Sequence, residues 1–471
     1  MILTDSLQPH EYSPVNTLVE VLHREFGKLR IKISSRSLER VSVMLYEAMS
    51  TRNRAYHRIE HSLNYPKNLS PIAVIAYLFH DIVYWQIDRA RHQALRQYMS
   101  PYAPTEDGVS ELFDALDLNN IDLNEPGILS RLVFGFENRT QITPAEGLNE
   151  FLSACVAENV FKGILKPWQM IHLLACIEAT IPFRKPVGDV TAPMALRARL
   201  KNIATALKLK VSDTDLRAVT TEAIELALHD LNNFAAGDSG LFLKNSWEVI
   251  WESNPGLQKE TYTVKQFRKA IQQTEAFFSS IDLRLIFPFT LDYPDHRVLA
   301  HLWEATEHNL TIGREYIQAK LLAAAVVEAV ADSTGGDAPI ILFMGRHPIF
   351  GLLQIWKELI EDLPFNDDKT TERYEVQLLL QTGRAGGKEK FDVSQSPISA
   401  YLFANLDEVE LQSALNQARA FFENKINAEQ FLRGAILHLI EPILERFSKI
   451  ALSRREQIDK LRTNLKAKKA A

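Results

Sequence analysis

The stretch that decides the fold class reads Ser70-Pro71-Ile72-Ala73-Val74-Ile75-Ala76-Tyr77-Leu78-Phe79-His80-Asp81-Ile82-Val83-Tyr84. It opens with a serine that can cap a helix and a proline at the first helical position. From Ile72 to Tyr84 the predicted helix is apolar on nearly every side, which is typical of a helix buried at the centre of a domain. Helical periodicity also dominates outward from this stretch in both directions. The sequence therefore predicts a mainly all-α protein.

The chain has 471 residues, which is too long for a single compact core and predicts two domains. Prolines after Phe287 and Tyr293 mark a break. We expect residues 1–285 to form one helical domain and residues 286–471 to form a C-terminal, mostly helical domain of unknown role. Within the latter, two segments have the pattern of short strands, Pro339 to Gly345 and Tyr374 to Gln381.

Composition and charge argue against several classes of protein, among them nucleic-acid-binding and disulfide-rich proteins. Lys plus Arg total 53 against 59 Asp plus Glu, a net charge of −6, so no basic excess favours a nucleic-acid partner. The basic run from Lys460 to Lys469 is interpreted as a solvated terminus. Two cysteines, Cys155 and Cys176, exclude a disulfide framework and favour a reducing compartment. Residues 1–12 show no secretory signal and residues 321–327 are too short an apolar run to span a bilayer, so we expect a cytoplasmic protein with no membrane partner.

The chemically unusual feature of the opening stretch is His80-Asp81. A buried carboxylate is costly unless it is paired or bound to a cation. Alone, such a pair is more often a core histidine beside a surface aspartate. About twenty residues upstream, however, His57 and His61 lie four apart and share a face if their segment is helical. Imidazoles mixed with carboxylate suit a divalent transition metal better than calcium.

Asp230 is the best candidate for a further ligand. It lies in Ala227-Leu228-His229-Asp230-Leu231-Asn232-Asn233, near the end of another strongly apolar predicted helix. Taken alone, it would be interpreted as a solvent-exposed residue at a helix C-terminus. A metal site built from the upstream histidines and Asp81 usually needs one more protein ligand, and Asp230 is the residue predicted to supply it.

These motifs, Tyr56-His57 with His61, then His80-Asp81 and then a distant Asp230, resemble the HD superfamily of phosphohydrolases. Over about residues 40–280 their order is most similar to the cyclic-nucleotide phosphodiesterase branch. The resemblance implies an HD-type helical core and a divalent metal ion (Mn, Fe, Zn or Mg; one or two ions). The implied metal ligands are His61, His80, Asp81 and Asp230.

The resemblance also implies a reaction. Water activated by the metal would attack the phosphorus of a phosphate ester, and His57 would protonate the leaving oxygen as general acid. Glu178, beside a segment similar to an Ala-Thr-Asp motif of that branch, would be a further carboxylate near the metal.

Two differences from the phosphodiesterase branch argue against a cyclic nucleotide as the substrate. Tyr84 stands where that branch has another histidine, which bears on a second metal, and Gln266 is out of register with the glutamine that holds the purine there. Glu60-His61-Ser62-Leu63 is instead similar to HD proteins that hydrolyse nucleotides. The expected substrate is therefore a small phosphorylated compound, a nucleotide or a cyclic nucleotide.

Two other hypotheses stay open. The C-terminal half carries no recognised motif, which is consistent with a catalytically silent, metal-stabilised HD sensor or partner-binding scaffold; that half could also mediate a homodimer. A purely structural helical protein is the third hypothesis, and it expects His61 and Asp230 to be far apart. A second cluster of polar residues is interpreted as a solvated face, because no second helix supplies a matching pair: His296, His301, Glu304, Glu307 and His308.

Overall fold

The computed structural model describes residues 13–88, 95–104, 110–111, 116, 121–136, 138, 141–345, 353–361, 363, 371–385 and 390–467. Across these residues the protein is mainly all-α, as the sequence predicts, with 22 α-helices and one pair of short strands. Two expectations fall elsewhere: the N-terminal residues 1–12 and the last lysines of the basic tail, Lys468 and Lys469, lie outside the described residues.

The α-helices account for most of the described chain. In order they are α1 (Pro14–Lys28), α2 (Ser35–Met49), α3 (Ile59–Leu63), α4 (Pro71–Phe79), α5 (Trp85–Asp88), α6 (Arg96–Met99), α7 (Ile128–Phe134), α8 (Leu148–Phe161), α9 (Pro167–Ala179), α10 (Ala192–Ala206), α11 (Asp213–Asp230), α12 (Ser239–Ser253), α13 (Val264–Ser280), α14 (His296–Ser333), α15 (Ile341–Met344), α16 (Gln354–Lys357), α17 (Glu372–Thr382), α18 (Pro397–Ala404), α19 (Glu408–Phe422), α20 (Ala428–Leu432), α21 (Leu437–Ile450) and α22 (Arg455–Ala467). Short 3-10 helices are Pro144–Glu146, Leu231–Ala235, Leu283–Leu285 and Leu452–Arg454.

The described strands form one two-residue antiparallel pair. β1 (Ser110–Glu111) pairs with β2 (Gln141–Ile142), so that Ser110 lies opposite Ile142.

The described chain divides into two compact units. The first comprises residues 1–232 and 282–303, and the second comprises residues 233–281 and 304–471. This division differs from the single boundary expected near residue 285. Residues 233–281 belong with the second unit, where Arg268 on α13 forms a buried ion pair with Glu328 on α14. All five site residues expected from the sequence fall in the first unit.

Helix α4 lies at the centre of the first unit, as its composition predicts. Every residue from Ile72 to Phe79 is buried. The helix begins where expected, because the Ser70 hydroxyl accepts a hydrogen bond from the Ala73 amide and Pro71 has no N–H that would need an acceptor. Glu222 on α11 accepts hydrogen bonds from both the amide and the hydroxyl of Ser70, which fastens the start of α4 to α11.

Helix α4 ends at Phe79, five residues before the end predicted from its apolar composition. Beyond it, the amide of Val83 donates to the Ser153 hydroxyl at 3.1 Å, and the amide of Trp85 donates to the Asn149 side chain at 2.9 Å. These side chains of α8 replace the carbonyl partners that a continued helix would provide. His80 and Asp81 therefore lie in the turn that follows α4.

The prediction of two strands in the C-terminal half is wrong. Residues 374–381 lie within α17, which starts with Thr371 capping the amide of Tyr374 and buries Val376 and Leu380 at helical spacing. Residues 341–344 form the short helix α15, where the amide of Leu342 donates to the carbonyl of Pro339. In both segments local capping and turn hydrogen bonds outweigh the strand-like pattern of the sequence.

Among the described residues, no helix combines the length and the apolar character that crossing a bilayer demands.

Candidate metal centre

Four side chains from three parts of the first unit converge on one point. His61, His80, Asp81 and Asp230, named here the His/Asp cluster, offer ligand atoms that all lie within 4.8 Å of one another. Asp230 Oδ1 is 2.9 Å from His61 Nε2 and 3.0 Å from His80 Nε2. Asp81 Oδ2 is 3.0 Å from His80 Nε2 and 3.8 Å from His61 Nε2. In the described part of the chain, no other group of three or more such residues comes together in this way.

Three elements bring the cluster together. His61 lies in the middle of α3, His80 and Asp81 follow α4, and Asp230 is the last residue of α11. Helix α11 is thus in contact with both ends of α4, through Glu222 at Ser70 and through Asp230 at His80.

A hydrogen bond at its other ring nitrogen fixes the orientation of the His80 imidazole. Its Nδ1 lies 2.7 Å from the carbonyl of Tyr77, which can only accept, so Nδ1 carries the proton and Nε2 faces the two carboxylates. The Tyr77 ring stacks on the imidazole at a centroid distance of 4.6 Å and limits its rotation. Such a partner on the far nitrogen is the usual way in which a metal-binding histidine is oriented.

The pKa values of His80, Asp81 and Asp230 depend on one another's charges. Burial lowers the pKa of His80, but the charges of Asp81 and Asp230 outweigh burial and raise that pKa well above its usual value. Burial raises the pKa of each aspartate, yet neighbouring histidine charges, chiefly that of His80, bring both pKa values well below the usual range. Two ionised carboxylates therefore share this small space, and they need positive charge between them.

His57 lies beside the cluster and outside helix α3, which begins only at Ile59. The condition under which His57 and His61 would share a face, a helix that covers both residues, is therefore not met. Their ring centroids are 6.2 Å apart, and the charge of His57 acts on the pKa of Asp81. His57 also meets the ring of Tyr84 edge-on at 4.9 Å. Tyr84, at the position where the sequence lacks a further histidine, thus packs against the expected proton donor.

Glu150 is a residue near the cluster that the sequence analysis missed. It lies in the first turn of α8, between the residues Asn149 and Ser153 that bind the segment after Asp81. Burial, together with the charges of Asp81 and Asp230, raises the pKa of Glu150 to about 7. Its only sequence signal is an acid in the first turn of a largely apolar helix, which no spacing connects to the histidines.

Glu178 has other partners in the structure. Its buried carboxylate forms ion pairs with Arg184 and with Arg199, the latter at 2.5 Å. It is not part of the His/Asp cluster. Two guanidinium groups thus already neutralise the charge that a metal would require.

The polar cluster set aside in the sequence analysis is solvent-exposed at His296, His301 and Glu304. His308 pairs with Glu375 at 3.1 Å, with both side chains at least one-third exposed. These positions therefore behave as a solvated face.

Comparison with known proteins adds no relative: no protein-family model, curated protein or solved structure matches this chain.

The donor set of the His/Asp cluster fits a divalent metal ion. His80 Nε2 faces the carboxylate oxygens of Asp81 and Asp230, and its raised pKa places a proton between these atoms when no metal ion is bound. Once deprotonated, Nε2 of His80, Nε2 of His61 and the carboxylate oxygens can each give a lone pair to one cation, whose charge takes the place of the proton. Two imidazoles with two carboxylates are a ligand set that suits zinc, manganese or iron.

Proposed function

We propose that this chain is an HD-type, metal-dependent phosphohydrolase that cleaves a phosphate ester of a small compound, with a nucleotide or cyclic nucleotide as the expected class. The observation that carries the proposal is the convergence of the His/Asp cluster beside His57. A structural metal site would be served by the four ligands alone. A hydrolase also needs a group that exchanges protons next to them, and His57 is of that type.

The cluster would hold the ion, and a bound divalent ion lowers the pKa of a coordinated water and offsets the charge of phosphoryl oxygens. The chain's own carboxylates set a condition on substrate binding. Asp81 and Asp230 are both ionised, and Glu150 adds a third acid near them. A phosphate ester approaching these acids without a cation would be repelled. Chelation is therefore expected to abolish substrate binding as well as turnover.

Hydrolysis requires two proton transfers at opposite sides of the phosphorus. The attacking water loses a proton as its oxygen bonds to phosphorus, and the ester oxygen gains one as its bond to phosphorus breaks. His57 is assigned the second transfer, from an imidazole nitrogen to the leaving oxygen. Glu150 is assigned the first, because it is a buried acid close enough to Asp81 and Asp230 for their charges to raise its pKa, and because a carboxylate can accept this proton.

The test is a hydrolysis screen of the full chain after chelation and reloading with Mn²⁺. Phenyl phosphate, p-nitrophenyl phosphate, bis(p-nitrophenyl) phosphate, nucleoside monophosphates and cyclic nucleotides are the probes. We expect turnover of at least one of these esters, abolished by EDTA and by Asp81→Ala. The matched control is Asp292→Ala, which removes an exposed carboxylate that pairs with Arg217 at 3.8 Å.

The scaffold alternative gives a different result in the same screen. It predicts Mn²⁺ binding and thermal stabilisation by the ion, with no turnover of any ester. Activity that survives in Asp81→Ala at the wild-type level would contradict the proposed site.

A further inference from the structure

A buried arginine lies directly behind the expected proton donor. Arg54 belongs to the loop between α2 and α3 and is 0 % exposed. Its Nε and Nη2 donate to Oδ2 of Asp88 at 2.9 and 2.6 Å. The other oxygen of Asp88 accepts a hydrogen bond from the Thr51 hydroxyl at 2.7 Å. The charge of the guanidinium is thus compensated, and its orientation is set by a carboxylate that is itself held in place.

The same guanidinium bridges the two segments that carry the site. Nη1 donates to the carbonyl of His57 at 3.0 Å and to the carbonyl of Asp81 at 2.7 Å. Nη2 also donates to the carbonyl of Ile82 at 3.2 Å. One rigid planar group therefore contacts the main chain of the proton donor and the main chain of a metal-ligand candidate.

These contacts matter because neither main-chain segment is held by regular structure at that point. His57 precedes α3 and Asp81 follows α4, so no helical hydrogen-bond ladder sets the distance between them. A guanidinium offers five donors in a fixed fork, whereas an ammonium has no planar geometry to impose. A lysine at position 54 would keep the charge beside Asp88 and lose the bridge.

We propose that Arg54, oriented by Asp88, is a positioning residue that sets His57 against Asp81 and so places the proton donor relative to the metal centre. The part of this inference that concerns His57 rests on the proposed function, since the position of His57 matters to turnover only if His57 donates a proton. The part that concerns Asp81 is about its geometry as a metal ligand and is independent of turnover.

A matched control separates this role from that of any buried arginine in the first unit. Arg131 on α7 is 1 % exposed and donates to the carbonyl of Phe136 at 3.2 Å. It touches neither the His/Asp cluster nor the main chain of His57 in any described contact. Arg131→Lys therefore reports the general cost of disturbing a buried guanidinium.

The experiment measures Mn²⁺ affinity and phenyl phosphate hydrolysis in Arg54→Lys, Arg131→Lys, His57→Ala and the Arg54→Lys/His57→Ala double variant. We expect Arg54→Lys to bind Mn²⁺ about tenfold more weakly and to lose about 10²-fold in kcat, with KM changing far less. Arg131→Lys is expected to match the wild type in both. In the His57→Ala background at saturating Mn²⁺, Arg54→Lys is expected to cost almost nothing further in kcat, because its effect on kcat acts through His57.

Three outcomes overturn the proposal: equal effects of Arg54→Lys and Arg131→Lys, unchanged Mn²⁺ affinity with unchanged kcat in Arg54→Lys, or losses of Arg54→Lys and His57→Ala that multiply. If the wild type binds Mn²⁺ but hydrolyses no ester, the proposed function fails, and the Mn²⁺ affinities alone decide whether Arg54 fixes the position of Asp81.

Should Arg54→Lys not fold, Thr51→Val removes only the hydrogen bond to Asp88. It is expected to give the same pattern with a loss of several-fold, and wild-type behaviour would then count against the proposal.

Discussion

His61 Nε2 on α3 lies 2.9 Å from Asp230 Oδ1 on α11, although 169 residues separate them in the chain. The two side chains come from different helices, so the contact depends on the packing of the whole first unit. The hypothesis of a purely structural helical protein expects these side chains to be far apart, and the contact counts against it. Because the cluster combines residues from α3, from the turn after α4 and from α11, the motifs extend from His57 to Asp230.

The role of His57 predicts a dependence on the leaving group. His57→Ala should lose about 10²-fold or more in the hydrolysis of phenyl phosphate, because phenolate needs a proton as it leaves. With p-nitrophenyl phosphate the loss should be much smaller, since the more acidic p-nitrophenol leaves readily as an anion. Mn²⁺ affinity should stay close to that of the wild type. Equal losses for the two esters, measured as kcat/KM, would contradict a general-acid role.

Glu150 predicts a pH dependence of stability in the metal-free protein. Its pKa is about 7 in the folded protein against a usual value of 4.5. A carboxyl with a raised folded pKa contributes stability that is full below about pH 4.5 and is lost as the pH rises through 7. Compared with Glu150→Gln, the wild type should therefore lose roughly 1–3 kcal/mol of unfolding free energy between about pH 5 and 8.

Thermal unfolding in EDTA, followed across that pH range, measures this difference. Addition of Mn²⁺ should reduce it, because a nearby cation favours the ionised carboxylate. Parallel stability curves for the wild type and Glu150→Gln in EDTA would show that this carboxyl titrates normally, and its assignment as proton acceptor would lose its support.

The ion pair in the second unit predicts a purely structural effect. Arg268 donates to both oxygens of Glu328, at 2.7 and 3.1 Å, and both side chains are almost completely buried. Glu328→Gln leaves a guanidinium buried without its counter-charge, which should cost about 3 kcal/mol of unfolding free energy. The exposed Glu456→Gln serves as the control and should leave the unfolding temperature unchanged. A change of Mn²⁺ affinity in Glu328→Gln would contradict the assignment of the metal centre to the first unit alone.

Local signals predicted local structure well. Ser70 and Pro71 mark the start of α4 because a cap and a fixed φ act within one turn. The end of the same helix was not predictable, since the partners that terminate it, Asn149 and Ser153, lie about seventy residues further along the chain. Tertiary hydrogen bonds of this kind leave no periodic trace in the sequence.

In the candidate site, too, some residues could be predicted from the sequence and others could not. The four members of the His/Asp cluster were found because motif order and residue chemistry select them. Arg54 and Glu150 were missed, because Arg54 is one of three arginines in its loop and Glu150 is one of two acids in α8, and no spacing relates either residue to the histidines. Glu178 shows the opposite case, in which a plausible spacing is overruled by two arginine partners, Arg184 just beyond the helix and the more distant Arg199.

The central claim is most directly tested by one titration, in which bound Mn²⁺ and the rate of phenyl phosphate hydrolysis are measured together for the metal-free wild type and for Asp230→Ala. We predict that the wild type binds one tight Mn²⁺ per chain, that the rate rises in proportion to the bound ion and levels off at one equivalent, and that Asp230→Ala loses both. A wild type that binds no Mn²⁺, a rate independent of bound Mn²⁺, or an Asp230→Ala variant that binds and hydrolyses like the wild type would contradict the account.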